Sequence, residues 1–319
     1  MKKTIDSITL RGNVQYGILT IREDEAKAVF ARMEFSQRAR GLRTYDIAQV
    51  KMSNGQHVTV AHVRCPSSQG PSEAREAANA LIRDLEPTWM IVVGIAGTIP
   101  NEDVCLGDVV ISSSIYDSRI MASNHDGTRS FAIGKERLHQ KALDFVAQLP
   151  GMEDELGQWF SEQSISVSRP KLPKEILAKQ NNEHIKGSPS WKKRIQEALE
   201  IHFGRRIRRP NHPVAQAVPF VSGGELVKDP SLAELWLMGD LRDFKAIEME
   251  LIGVFEACNA FPVGGNNVPV ISIRGISDVI GLRRQPEWTR YACETAAAFT
   301  VAAIKSGNLY STSSPPSSQ

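Results

Sequence analysis

Apolar positions arrive in short runs separated by turn-forming or charged stretches, and their spacing switches between strand-like and helical. Residues 14–21, VQYGILTI, are a compact apolar run with β-branched side chains, which predicts a buried strand. REDE follows, and then AKAVFARM, where Ala26, Val29, Phe30 and Met33 fall at helical spacing. Carboxylates just before such a run suit the positive end of a helix. Two extended runs flank Asn54-Gly55 in IAQVKMSNGQHVTVAHVRC, a hairpin signal. PSEAREAANALIRDLEP reads as a helix with Pro71 at its start and a stop at Pro87.

WMIVVGIAG (89–97) is apolar throughout, as a central strand covered on both faces must be. LGDVVISSSIYD, AVPFVSGG, AIEME and VPVISIRGISD are further short apolar runs, and WTRYACETAAAFTVAAIKS closes the series as a long Ala-rich helix. Strands alternating with helices predict an α/β fold in which helices flank the sheet. The Asn-Gly hairpin and the successive strands after residue 105 make the central β-sheet mixed. Ligands of open α/β sheets gather at the carboxyl ends of strands. Glu25, Ala96-Gly97, Ser222, Glu250 and Asp278 fall at or just beyond such ends.

One stretch breaks the pattern. Residues 155–215 have no clear period, and between Arg169 and Pro210 there are 12 Lys/Arg against 4 Glu, a local excess of +8. The stretch reads as a basic insertion within one domain spanning 1–312, as a solvated excursion or as a contact for polyphosphate, nucleic acid or a partner. Residues 313–319 read as a disordered tail.

Composition narrows the classes. The chain has 319 residues and a formal charge of +2, so the molecule as a whole carries no nucleic-acid signature. Cys65, Cys105, Cys258 and Cys293 are scattered, which predicts a reducing, cytoplasmic setting and no structural zinc. The N-terminus lacks the apolar core of a signal peptide, and the longest apolar run is too short to span a bilayer.

The segment AIEMEL (246–251) concentrates the candidate chemistry. As a helix it would set Glu248 and Glu250 about 200° apart. As a strand end it would put both on one face. Leu251, Val254, Phe255 and Cys258 carry a helical stripe, so the stretch is predicted to be a strand end running into a helix near Glu250. Two carboxylates and Met249 would then line a site.

These residues carry a resemblance. AIEMELIGVFEA resembles the strand-to-helix motif of the nucleoside phosphorylase/nucleosidase superfamily, which includes the methylthioadenosine/S-adenosylhomocysteine nucleosidases. YGILTIREDEAKAV resembles its opening strand and Glu-rich turn. WMIVVGIAGTIPNEDVCLGDVVISSSIYD resembles its central strand, Gly-rich loop and following strand. VPFVSGGELVKDP resembles its base-pocket segment, and VISIRGISD its catalytic segment. The resemblance implies a nucleoside phosphorylase-like α/β/α fold, no cofactor, and a homo-oligomer. The 155–215 insertion has no counterpart in compact members.

The activity it implies is cleavage of an N-glycosidic bond, which needs a proton for the leaving purine and a nucleophile on the opposite face of the ribose. The comparison assigns Asp278 as proton donor toward N7, so its pKa is expected to be raised. Glu250 would grip the ribose hydroxyls through charge-assisted bonds, with Glu248 supporting it and Met249 beneath the sugar. Leu226 and Val227 match positions that pack on the base. Ala96, Gly97 and Ser277 count among the expected substrate contacts.

The superfamily's phosphorylases open with a Gly-Asp/Asn-Pro-x-Arg turn that holds phosphate. Here TIREDEAKA stands instead, and Glu25 aligns with the acid that activates water. Glu23 and Asp24 would repel a phosphate dianion. Hydrolysis is therefore favoured over phosphorolysis, with Arg274 positioning the water or offsetting the carboxylate charge, although Arg22 remains a candidate anion ligand. Arg11, Arg38, Arg40, Arg43 and the insertion are candidate contacts for a charged 5′ group, as in AMP or ATP. Some members of the superfamily it resembles are effectors that destroy nucleotides in immune or antiviral systems, so the resemblance with these arginines implies a nucleotide-depleting effector as one reading. A methylthioadenosine nucleosidase, a phosphorylase, or a non-catalytic nucleotide sensor are the alternatives.

Other chemistries have weaker support. VVGIAGTIP lacks the third glycine of a dinucleotide-binding turn, and no G-x-S-x-G is present. His57 and His62 straddle a strand without an acidic cluster, so no metal is expected.

Overall fold

The computed structural model describes residues 2–309 apart from 66–68, 120, 124–128, 132–133, 178–182, 205–208, 225–226, 228, 239–240 and 242. The expected tail at 313–319 and the candidate base contact Leu226 lie outside the described residues.

The strands are β1 (Lys3–Asp6), β2 (Tyr16–Thr20), β3 (Phe35–Arg40), β4 (Thr44–Lys51), β5 (His57–Arg64), β6 (Trp89–Thr98), β7 (Val109–Asp117), β8 (Met121–Ser123), β9 (Arg129–Phe131), β10 (Lys135–Glu136), β11 (Ala215–Ser222), β12 (Ala246–Glu248) and β13 (Val270–Val279). The helices are α1 (Glu23–Phe30), α2 (Pro71–Leu85), α3 (Gln140–Gln148), α4 (Glu153–Leu156), α5 (Glu162–Ile165), α6 (Lys174–Leu177), α7 (Pro189–Phe203), α8 (Pro230–Met238), α9 (Leu251–Ala260) and α10 (Pro286–Ser306). The fold is α/β, with a central mixed sheet flanked by helices.

The apolar run at 89–97 does form the central strand. β6 pairs in parallel with β2 and β13 and antiparallel with β12. Beyond β6 the pairings close on themselves, through β13, β7, β11 and β12 back to β6. The other arm runs from β2 through β5, β4 and β3 to β1. The Asn54-Gly55 turn joins β4 to β5 as an antiparallel hairpin, with Gly55 at φ +85°, a conformation glycine adopts without a Cβ penalty. The polar-rich β3 has no counterpart among the sequence expectations, because only Phe35 and Ala39 of its six residues are buried.

Ala-rich helices permit close packing. α10 lies against β13 and β6, and α2 lies against α9. One apolar core runs through all these layers. α4, at the start of the 155–215 stretch, and α5 and α6 within it are single turns of four residues each, too short to show a period, whereas α7 is a 15-residue helix. α7 buries Trp191, Ile195, Ala198, Leu199 and His202. Trp191 Nε1 donates to the Ile280 carbonyl at 2.8 Å, and backbone bonds join Lys186 to Gly281 and Arg283 to His184. His184, Lys186 and Trp191 thus brace the segment that leaves the end of β13.

Some of the charge of the 155–215 stretch is taken up by the rest of the fold. Arg209 forms a 2.8 Å ion pair with the buried Asp108, and the Arg169 guanidinium lies over the rings of Phe203 and Trp288. No helix among the described residues is long and apolar enough to cross a membrane.

Candidate active site

The carboxyl ends of β2, β6, β12 and β13 converge on one cleft with about 610 Å³ of empty volume. Glu25, Ala96, Gly97, Val227, Glu248, Met249, Glu250, Ser277 and Asp278 all line it. Arg274 sits just behind its wall, joined to two of these carboxylates. Chain segments more than 200 residues apart in sequence therefore meet at one place.

Glu25 comes from the first turn of α1. Its Oε2 accepts hydrogen bonds from the backbone N–H groups of Ile21 and Arg22, at 3.0 and 2.9 Å. The second is the reciprocal half of a capping box, in which an N3 carboxylate reaches back to the N-cap N–H. Oε1 accepts from Ile95 N in β6 at 3.1 Å. Burial pushes the Glu25 pKa up, against the pull of Arg274 and these three N–H donors.

Glu248 ends β12, and Glu250 caps α9 with φ −124° and ψ −32°. The strand therefore stops earlier than the expected period of two requires. The carboxylates meet for another reason: the Arg274 Nη2 reaches both, at 2.6 Å from Glu248 Oε2 and 3.1 Å from Glu250 Oε2. Glu248 also accepts from the backbone N–H of Glu250 and Leu251, so it holds the helix start in place. Burial raises the Glu250 pKa to about 7. Arg274 opposes that rise, and the neighbouring charges of Glu248 and Glu25 add to it.

Arg274 is 0% exposed in the middle of β13. Its Nε donates to Ser272 Oγ at 2.9 Å. Its Nη1 is buried with no hydrogen-bond partner among the described residues. Burial favours the neutral form of Arg274, but the carboxylates of Glu248, Glu250 and Glu25 outweigh it and raise the pKa. Gly94 makes this approach possible. A Cβ there would stand 2.4 Å from both Arg274 Nη1 and Glu25 Oε1, so those two atoms flank one point on β6.

The far end of the cleft is built differently. The β13–β6 register shifts between Ile276 and Asp278, a bulge that turns Asp278 to the cleft. Ser277 Oγ donates to Asp278 Oδ1 at 2.5 Å and lies 3.3 Å from Arg284 Nη2. Arg284 Nε is 3.6 Å from the same carboxylate oxygen. The Asp278 side chain keeps 26% of its surface open to the cleft while protein surrounds the rest. Burial raises its pKa, against the pull of Ser277 and Arg284.

Several expected residues lie elsewhere. Arg11 pairs with Glu86, Arg38 with Asp46, and Arg43 stands 4.0 Å from Glu76. None of these, nor Arg40, lines the cleft. Arg22 does line it, tied by two hydrogen bonds of 2.8 and 2.6 Å to Asp24. Sequence reasoning missed Ile21, Gln69, Ile95, Ile247, Ile280 and Arg284 as lining residues. The signal for Arg284 was its place in RRQPEW. A short connection from Asp278 to a helix starting at Pro286 must fold back over the strand end.

His62 is a core residue, bonded to Thr20 Oγ1 at 2.9 Å and packed on Phe30 and Phe35. No cluster of three or more His, Cys, Asp or Glu arranged to hold a metal occurs among the described residues.

A family profile described as the phosphorylase superfamily matches residues 16–306. Among solved structures, the chain is similar to the 5′-methylthioadenosine/S-adenosylhomocysteine nucleosidase of Neisseria meningitidis, solved with methylthio-immucillin-A. The TM-score is 0.57 at 16% identity, over 92% of this chain and 99% of that one. The corresponding nucleosidase of Colwellia psychrerythraea, in complex with adenine, gives 0.58 at 17% identity over 93% and 96%. Futalosine hydrolase of Helicobacter pylori gives 0.57 at 14% identity over 92% and 98%. At these identities the likeness is one of fold. No curated protein matches the chain.

Proposed function

The chain belongs to the phosphorylase superfamily, and from that membership we propose that it hydrolyses the N-glycosidic bond of a purine nucleoside or nucleotide. The observation that carries the reading is the shared cleft of Glu25, Glu248, Glu250 and Asp278. Solved relatives of the same fold are nucleosidases, and one holds adenine.

In this reading Asp278 gives its proton to purine N7, while the C1′–N9 electron pair passes into the base. Its raised pKa suits a donor near neutral pH. Water attacks C1′ and gives its proton to Glu25, while Arg274, buried behind the cleft wall, offsets the charge of the carboxylates. Glu250 accepts from the ribose hydroxyls, held by Glu248 through their shared Arg274 Nη2. Val227 and Ile247 line the cleft as apolar walls for the base.

Hydrolysis is favoured over phosphorolysis by the charge around α1. Its first turn carries Glu23, Asp24 and Glu25, and Arg22 is engaged by Asp24. Of the three, Glu25 lines the cleft, and a phosphate dianion there would meet its carboxylate while Arg22 is already paired with Asp24.

The finer reading is a nucleotide substrate, and with it an antiviral effector role. None of the expected 5′ contacts Arg11, Arg38, Arg40 and Arg43 lines the cleft; its support is Arg22 and Arg284, the arginines that do so among the described residues. Base release from adenosine, methylthioadenosine, inosine, AMP and ATP, with and without phosphate, distinguishes these. Cleavage of nucleosides alone removes the nucleotide reading, and a strict phosphate requirement removes hydrolysis. The family resemblance also implies a homo-oligomer, which sedimentation of the purified chain tests.

A further inference from the structure

Arg284 is a charged residue in the cleft that the reaction described above leaves without a task. It follows β13 on the connection to α10 and folds back over the strand end. Its Nε donates to Thr289 Oγ1 at 3.1 Å and its Nη2 to Ser277 Oγ at 3.3 Å, so two elements fix the guanidinium. Its Nε stands 3.6 Å from Asp278 Oδ1. That distance is beyond a hydrogen bond but well inside the range of charge–charge attraction.

The two oxygens of Asp278 are therefore unlike. Oδ1 is covered by Ser277 and faced by Arg284. Oδ2 lies over Gly97, where an added Cβ would stand 3.1 Å away, and both residues line the cleft. Among the described residues, Arg284 is the charged group whose field acts on Asp278. Arg274, by contrast, serves Glu248, Glu250 and Glu25.

Resting on the reading of Asp278 as proton donor, we propose that Arg284 is a positioning residue that sets the acid strength of Asp278, stabilising the carboxylate that remains when Oδ2 has given its proton to the purine. The proton moves from Asp278 Oδ2 to N7, the C1′–N9 bond breaks with its electrons entering the base, and the new charge on Asp278 faces the guanidinium. Arg284 exchanges no atom or electron with the substrate.

A cation near a carboxyl favours its ionised form, so Arg284→Gln makes Asp278 a weaker acid that holds its proton to higher pH. For a purine riboside, the acid-side plateau of kcat/KM in Arg284→Gln falls by about fivefold, as Brønsted behaviour of a general acid requires. The limb that reports loss of the Asp278 proton moves to higher pH. Arg284→Lys keeps the charge and restores most of both. p-Nitrophenyl β-D-ribofuranoside supplies the control, because its phenolate leaves without protonation, so Arg284→Gln loses less rate on it than on the purine riboside and its pH profile lacks the moved limb.

An unmoved limb, or an equal loss on both substrates, overturns the proposal and leaves Arg284 as a structural tie. A wild-type protein that cleaves the nitrophenyl riboside but no purine riboside points instead to failure of the functional reading itself.

Discussion

The two ends of the cleft solve the problem of buried charge in opposite ways. At the Glu25 end, three carboxylates surround one guanidinium that is 0% exposed, and backbone N–H groups take up the remaining lone pairs of Glu25 and Glu248. At the Asp278 end, one carboxylate sits on a bulge with 26% of its side chain open, beside an arginine that is 41% exposed. The first end is fixed by the core of the sheet and cannot lose a member cheaply. The second is held by a strand irregularity and a connecting segment, so its electrostatics are adjustable. The difference teaches that fixed geometry and tunable acidity can be supplied by different layers of one fold.

The comparison breaks most visibly at Arg274. Arg274→Leu leaves Glu25, Glu248 and Glu250 buried without their shared cation, a loss on the order of 3–5 kcal/mol. Urea unfolding measures it. The same experiment on Arg284→Leu, at the exposed end, is expected to give under about 1 kcal/mol. Equal losses at both ends would erase the distinction.

Gly94→Ala sharpens it at intermediate size. The added methyl would displace Arg274 Nη1 and Glu25 Oε1 from their positions 2.4 Å away. A misplacement of that kind lowers the rate by about 10²-fold. Steady-state kinetics check this, with an unchanged circular dichroism spectrum showing that the fold persists. Retained full activity would mean that the Glu25–Arg274 geometry does not govern the chemistry.

The contrast can also be read as a slope. Glu250 has its pKa raised from 4.5 to about 7, so the folded state binds more protons than the unfolded one between those values. Its contribution to stability is complete below about pH 4.5 and disappears as pH rises through 7. Glu250→Gln should flatten that part of the stability–pH curve. Identical slopes for wild type and Glu250→Gln across this window would contradict the burial-driven shift.

Much of the fold was legible because its central elements are extreme. The uninterrupted apolar run of β6, the Asn-Gly turn and the Ala-rich α10 each have few alternatives. The candidate site was legible through motif spacing in REDE, EME and RGISD, whose residues line or border one cleft. What the sequence concealed depends on tertiary closure. Glu248 and Glu250 share a face because Arg274 draws them together, and no local period records that. β3 is polar because only Phe35 and Ala39 of it reach the core. Arg11, Arg38 and Arg43 resemble Arg284 in sequence, yet they pair at the periphery, since charge composition carries no direction.

The central claim is that the carboxylates meeting in this cleft divide one reaction between them, with Asp278 discharging the base. Chromatographic assay of purine release in phosphate-free buffer, by wild type and Asp278→Asn side by side, tests it most directly. The account predicts release by the wild type and a fall of roughly 10²–10⁴-fold in the variant, with adenine binding retained in calorimetry. Equal rates in the two proteins, or no release from any purine riboside by a well-folded wild type, would contradict it.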